Sequence, residues 1–356
     1  MPTLEVPFAS GARTTCVIEP GALARLPQLC ADAGLSGTSG FLCDARLLQL
    51  HRDALLALRP AFGDPLARPV NESRKTLAEV EAMCEVLAAR GVHRDGYVVA
   101  VGGGLLTDLA GLAAALYLRG VPWVSVPSTL LAQVDAGLGG KTGANLRAGK
   151  NLIGAFHQPR LVVCDPSLLL TLPLRERWSG LAEVVKCALL AGGELLERCE
   201  AELEKAAAGD SSALAPLIEG AVRLKARIVA GDEREVSGQR AFLNLGHTVG
   251  HALEAATGYA HFTHGEAVAL GLRGALELSD GMPDRERAAR LVSRLQVAAP
   301  AALDADAREA ALQAISRDKK ARAGKVRFVV LERIGSPALR EVTPADCARA
   351  LSAALS

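Results

Sequence analysis

Apolar and polar positions in the first half of the chain alternate between two periods. Thr14 to Ile18, Gly40 to Cys43, Tyr97 to Val101, Val121 to Val126 and Arg160 to Cys164 are short β-rich runs, nearly continuous in apolar residues, as strands buried on both faces are. Helical patterns lie between them. A Pro20-Gly21 turn opens a helix to about Ala33, and the strand at Gly40 ends on Asp44. Thr76, with Glu79 three residues on, has the form of a capping box. The helix it starts has Leu77, Val80, Met83, Cys84 and Leu87 on its apolar face and Gly91 as its stop. Tyr97 to Val101 runs into Gly102-Gly103-Gly104, after which Thr107 or Asp108 can cap an apolar helix from Leu109. Such a strand, glycine turn and helix N-terminus let backbone N–H groups face a nucleotide phosphate, although a tight turn alone also accounts for the glycines. The order predicts an α/β domain with a mostly parallel sheet.

From Pro166 onward the pattern is helical, through Leu181 to Leu190, Leu217 to Val229, Arg285 to Leu295 and Ala307 to Ile315, with one late strand at Val326 to Leu331. The boundary is therefore placed at 165/166, with the cleft between the two domains as the default site. Glu183 and Lys186 lie three apart on one helix face, a spacing whose ordinary reading is an exposed ion pair. Gly139 to Asn151 reads as a loop rich in glycine and cations, Lys141, Arg147 and Lys150, able to clamp an anion or simply to be solvated. The overlapping stretch Asp135 to Thr142, DAGLGGKT, has Asp135 where a Walker loop requires glycine, and GxGxxG is absent, so a kinase or ATPase is not indicated.

Chemistry concentrates late in the chain. Four of the seven histidines, His247, His251, His261 and His264, fall between Asn244 and Val268. If Val249, Ala252, Leu253 and Ala256 mark a helix, His247 and His251 share a face, which suits a metal or a phosphate. The pair lacks the glutamate of HExxH, so a metalloprotease is not expected, and a chance surface cluster is the bland alternative.

At 356 residues the chain is long enough for two cores. Lys and Arg number 40 against 39 Asp and Glu, a net charge of +1 with no basic stripe, so nucleic acid and anionic membrane are poor partners. The eight cysteines are scattered without a CxxC pair and predict buried, reduced thiols in a cytoplasmic protein. The longest apolar run, Leu109 to Leu118, is too short to cross a bilayer.

GGGLLTDLAG (Gly102 to Gly111), LRGVPWVSVPSTLLAQVDAGLGGKTGAN (Leu118 to Asn145), GKNLIGAFHQP (Gly149 to Pro159), SGLAEVVK (Ser179 to Lys186), LNLGHTVGHALE (Leu243 to Glu254), HGEAVALG (His264 to Gly271) and DKK (Asp318 to Lys320) run in order over nearly the whole chain. In these motifs the sequence resembles 3-dehydroquinate synthase, of the sugar-phosphate cyclases. The resemblance implies a Rossmann-like, NAD-binding α/β domain at 1–165 and a mainly α-helical, metal- and substrate-binding domain at 166–356. It implies a homodimer that uses NAD and one Zn²⁺ or Co²⁺ per subunit. The substrate would be 3-deoxy-D-arabino-heptulosonate 7-phosphate, transiently oxidised, stripped of phosphate, reduced and closed to a carbocycle in the shikimate pathway.

Carried over position by position, the resemblance makes Glu183, His247 and His264 the metal ligands and moves His251 to the substrate phosphate, with Lys141, Asn151, Asn244 and one of Lys319 and Lys320. Lys225 and Arg240 would hold the substrate carboxylate, Asp135, Lys150 and Lys186 would line the reacting carbons, and Arg119 would reach a neighbouring subunit. The NAD groove would use Asp44, Glu72, Lys75, Gly103, Gly104, Asp108, Ser128, Thr129 and Thr171, with Lys141 and Lys150 at its edge. His157 and His261 stay unassigned.

Three departures from the family pattern bear on the site. Asn71 replaces the usual glycine, which Asn can do because it accepts positive φ. Ala136-Gly137 replaces two serines beside Asp135, and DEREVSGQR before Ala241 is one residue longer than usual, which bears on the aim of Arg240. A cyclase for a heptulose phosphate without a carboxylate would not need both Lys225 and Arg240. A metal-dependent alcohol dehydrogenase would not need the phosphate cations, and a non-catalytic relative would not need the metal ligands.

Overall fold

The computed structural model describes residues 3–297, 303–321 and 326–356, with only the backbone described for 316–321. The chain divides into two compact units, Met1–Leu172 with Lys225–Arg234, and Pro173–Leu224 with Glu235–Ser356. The return of Lys225–Arg234 to the first unit has no counterpart in the division drawn at 165/166 from the sequence.

The first unit is built on strands β1 (Thr3–Pro7), β2 (Arg13–Ile18), β3 (Ser39–Asp44), β4 (Leu66–Arg68), β5 (Tyr97–Gly102), β6 (Trp123–Pro127), β7 (Lys141–Leu146), β8 (Gly149–Phe156) and β9 (Leu161–Cys164). Seven of them form one sheet in the order β1-β2-β9-β6-β5-β3-β4, antiparallel between β1 and β2 and parallel elsewhere. Alternate residues serve opposite faces. Phe41, Cys43, Val99 and Val101 enter one core with Leu26 and Leu55, while Leu42, Val98 and Ala100 enter another with Leu106 and Leu109. Both faces are covered, which is why these strands read as apolar runs.

Three local readings change in this unit. The Gly104–Leu116 helix starts five residues before Leu109 with Gly103 as its N-cap, so Thr107 and Asp108 lie inside it and cap nothing. Thr76 accepts from Glu79 N, but the Glu79 carboxylate turns to Arg68 and Arg74, so only half of the capping box forms. The stretch read as a cationic loop is the antiparallel hairpin β7–β8, paired from Lys141↔Phe156 to Leu146↔Gly149.

The second unit is mainly helical, with a hairpin of β10 (Val326–Arg333) and β11 (Ser336–Val342), the latter not anticipated. Its core gathers Val249, Leu253, Leu270, Phe328, Val330 and Leu351. The His264–Glu277 helix packs against its neighbours through glycine. A Cβ on Gly265 would lie 1.9 Å from the Ser179 carbonyl oxygen, and one on Gly271 would lie 1.8 Å from that of Gly246. These contacts bring the Leu174–Ala191 and His247–Ala256 helices against it at backbone range. Gly271→Ala gains about 1 kcal/mol of helix propensity but must push a pair of backbones apart, at about 3 kcal/mol, so a net loss of about 2 kcal/mol is expected. A urea midpoint equal to that of the unchanged protein would refute this.

All eight cysteines are unpaired, and burial pushes the Cys16, Cys30 and Cys43 thiols up to about 12, so they stay protonated and inert. Among the described residues, no helix is long and apolar enough to cross a membrane.

Candidate active site

In the first unit the expected residues gather at the C-terminal ends of the parallel strands. Gly102 closes β5, and its carbonyl accepts from Ser128 N just beyond β6 at 2.9 Å. Space at Gly103 and Gly104 is tight: a Cβ on Gly103 would meet Thr129 Cγ2 at 3.2 Å, and one on Gly104 would meet Ala136 Cβ at 3.0 Å. The N-terminus of the Gly104–Leu116 helix is thus a bare backbone surface, which suits the pyrophosphate of a dinucleotide. At the end of β3, Asp44 is spent partly on capping, accepting from Arg46 N at 2.8 Å. Thr171 Oγ1 lies 2.8 Å from His51 Nε2, a partner that the sequence did not suggest.

Lys75 organises the next group. Its buried Nζ lies 2.5 Å from both Asp108 Oδ2 and Asn151 Oδ1, joining two expected nucleotide residues to one expected phosphate residue. Burial pushes the Asp108 carboxyl up, and the Lys75 charge opposes it. Asn151 adopts φ 54° and donates its N–H to Asn145 Oδ1, and Asn145 Nδ2 in turn donates to Glu72 Oε1 at 2.7 Å. Lys150 Nζ is 3.4 Å from the same Glu72 oxygen. Lys141 opens β7 on an exposed edge, and Arg119 is exposed at φ 68°. Asn71 is extended at φ −153°, so the positive φ invoked for this position is not used.

Asp135 sits in a π-helical turn, Ala132–Ala136, a backbone irregularity that recurs at functional sites. The Lys225 ammonium donates to its backbone carbonyl at 2.6 Å and ion-pairs with its carboxylate. Arg240 belongs to the second unit, where it is buried and lies 3.5 Å from Glu235 Oε1. Each of the two expected carboxylate binders thus has an acidic partner of its own. Within DEREVSGQR the backbone is left-handed at Glu235 (φ 58°) and Gly238 (φ 84°).

The second unit holds the densest chemistry. Glu183 and Lys186 are each 1% exposed, so the exposed ion pair suggested by their spacing is a buried one. Lys186 Nζ takes Glu183 Oε2 at 2.5 Å, which leaves Oε1 turned toward His264 Nε2 at 3.2 Å and His247 Nε2 at 3.4 Å. One donor atom from each of Glu183, His247 and His264 falls within 4.8 Å of the others. Two imidazoles and one carboxylate are a donor set for Zn²⁺ or Co²⁺ with room for substrate oxygens.

The electrostatics agree with a cation there. Burial would raise the Glu183 carboxyl, but Lys186 and the two histidines hold it well below the usual range. Burial lowers His247 to about 3, a neutral ligand. Burial also opposes charge on His264, yet hydrogen bonds to Glu183 and Glu254 raise it to about 10. A proton on His264 and a divalent ion are alternatives at one place, so loading should release a proton.

His251 lies beside this group, its ring centre 5.2 Å from that of His247, and forms a second set with Glu254 and His264. The helical pairing of His247 with His251 is therefore real, but His264 and Glu183 complete the tighter group. A cavity of 390 Å³ in this unit is lined by Asn244, His247, Thr248, His251 and Arg327 among others. Lys319 and Lys320 lie outside the residues whose side chains are described. Glu254 and Arg327 were missed. The only signal for Glu254 was its place on the face of His247 and His251, three and seven residues on.

Family models for the N-terminal and C-terminal regions of 3-dehydroquinate synthase match residues 66–179 and 180–321. The chain belongs to the 3-dehydroquinate synthase family. The 3-dehydroquinate synthase of Rhodospirillum rubrum is 43% identical over 95% of this chain and 91% of its own length. That of Geobacter metallireducens is 46% identical over 88% and 89%. Among solved structures, 2-deoxy-scyllo-inosose synthase with carbaglucose-6-phosphate, NAD⁺ and Co²⁺ matches at TM-score 0.85 and 25% identity, covering 98% of this chain and 99% of that one. The 2-epi-5-epi-valiolone synthase of Streptomyces hygroscopicus, with NAD⁺ and Zn²⁺, matches at 0.83 and 28%, covering 99% and 98%. A butanol dehydrogenase of Thermotoga maritima shares the fold at TM-score 0.64 and 15% identity. The 3-dehydroquinate synthase family is one of enzymes, and this chain carries its α/β and helical architecture throughout.

Proposed function

We propose that the chain is a carbon–oxygen lyase converting 3-deoxy-D-arabino-heptulosonate 7-phosphate to 3-dehydroquinate and phosphate in the shikimate pathway. The observation that carries this reading is the Glu183, His247 and His264 group, with its first two members buried, in a chain of this family. When bound, NAD⁺ takes a hydride from a substrate carbinol and returns it, while Zn²⁺ or Co²⁺ polarises the substrate hydroxyls.

The chain's own residues do the rest. Gly103, Gly104, Ser128 and Thr129 offer backbone and hydroxyl donors to the nucleotide, with Asp44, Glu72, Lys75, Asp108 and Thr171 around them and Lys141 and Lys150 beside it. His251 and Asn244, on the cavity wall in the second unit, and Lys141, Asn151 and one of Lys319 and Lys320 hold the leaving phosphate. Lys225 and Arg240 receive the substrate carboxylate. Lys186 fixes Glu183 and, with Asp135 and Lys150, flanks the reacting carbons. The reading extends to a cytoplasmic homodimer in which the exposed Arg119 reaches the partner's phosphate site.

Trace NAD⁺ tests it. With Zn²⁺ or Co²⁺, substrate and substoichiometric NAD⁺, phosphate and a carbocyclic product should form one for one over many turnovers. Absorbance of reduced cofactor should stay within one equivalent per site. Steady NADH production without phosphate would make the chain a dehydrogenase instead.

A further inference from the structure

We infer that Glu254 positions His264 for the metal through a carboxylate–imidazole pair that His247 lacks. The inference rests on the metal reading above. His264 presents Nε2 to Glu183 Oε1, so its metal-binding lone pair must be on Nε2 and its proton on Nδ1. Nδ1 meets Glu254 Oε1 at 3.3 Å. His247 Nδ1 instead meets a neutral backbone carbonyl, that of Leu245, at 3.2 Å. A carboxylate behind an imidazole fixes its tautomer and ring plane and makes it the stronger donor.

The setting of Glu254 argues for function over stability. It lies in the last turn of the His247–Ala256 helix, where the helix dipole disfavours a negative charge. Its side chain is only 14% exposed, and among the described residues its one ion-pair partner is His264, with no lysine or arginine. A carboxylate so placed needs a nearby positive charge. His264 and the ion it would carry supply one. The face that carries His247 and His251 puts Glu254 within reach, and the turn through Gly258 and Tyr259, both at positive φ, returns the chain to Thr263 and His264.

The test measures Zn²⁺ affinity of metal-stripped protein by competition with a chromogenic chelator, with the Co²⁺ absorption spectrum as a second reading. Glu254→Gln should weaken Zn²⁺ binding by about 10- to 100-fold, and Glu254→Ala at least as much. Both should alter the Co²⁺ bands, with the metal-free melting temperature lowered only modestly, by loss of the pair with His264. Affinities within twofold of the unchanged protein, while His264→Ala loses the metal, would overturn the role of Glu254 alone. A matching fall in metal-free melting temperature would make Glu254 a structural residue and overturn it as well. Undiminished Zn²⁺ binding by His264→Ala would overturn the metal site itself, and this inference with it.

Discussion

His264→Ala should fold, lose most of its bound metal and turn over almost no substrate. On the proposed reading His264 is one of three direct ligands, and its Nε2 shares Glu183 Oε1 with His247 Nε2, so no spare donor of the tight group remains when it goes. The loss should exceed the about 10- to 100-fold typical of removing a partner behind a ligand. Folding should survive, because His264 is the first residue of its helix and the Thr263–Glu266 capping box that starts that helix does not use its side chain. The variant should still unfold in one cooperative transition, at a temperature somewhat lowered by loss of the pairs with Glu183 and Glu254, and show elemental zinc or cobalt far below one equivalent. Full occupancy would remove His264 from the ligand set.

Arg240→Ala should lower kcat/KM for the heptulosonate phosphate by hundreds- to thousands-fold, about 3–5 kcal/mol, the range for breaking a buried charge pair. On the proposed reading the pair in question is Arg240 with the substrate carboxylate. Its contact with Glu235 is a weak substitute, since Glu235 is 42% exposed and can be rehydrated when the arginine is lost. Stability should therefore change much less than turnover, which a melting curve beside the kinetics would show. Near-normal activity would mean that Arg240 points elsewhere. A cyclase for a neutral heptulose phosphate would then be the better reading.

What the sequence displayed and what it hid follow from burial. Phe41 to Cys43 and Val98 to Val101 were legible because both faces of their strands are covered, leaving no polar alternation to confuse the pattern. β7–β8 was not, because Lys141, Gly143, Lys150 and Gly154 read as loop chemistry, and a hairpin with a solvated face has no apolar run to announce it. β11 failed for the same reason, its residues all half-buried or exposed. At the site, His247 and His264 stood out by rarity, and Glu183 became a ligand only through the family resemblance. Its burial with Lys186 could not be read from a spacing that surface helices use constantly. Glu254 shares a helix face with His247 and His251, but its pairing with His264, that of Glu235 with Arg240 and the place of Arg327 on the cavity wall depend on tertiary neighbours.

Gly265 and Gly271 set a condition on how such a protein can change over evolutionary time. At both positions the next amino acid in size already collides with a neighbouring main chain, so there is no graded series of tolerated side chains along which the helices could drift apart. Ala136 and the segment before Arg240 are where the sequence departs from the pattern expected of the resemblance. The helices bearing Glu183, His247 and His264 have no comparable slack, so a descendant with a new substrate is expected to rewrite the former and inherit the latter intact.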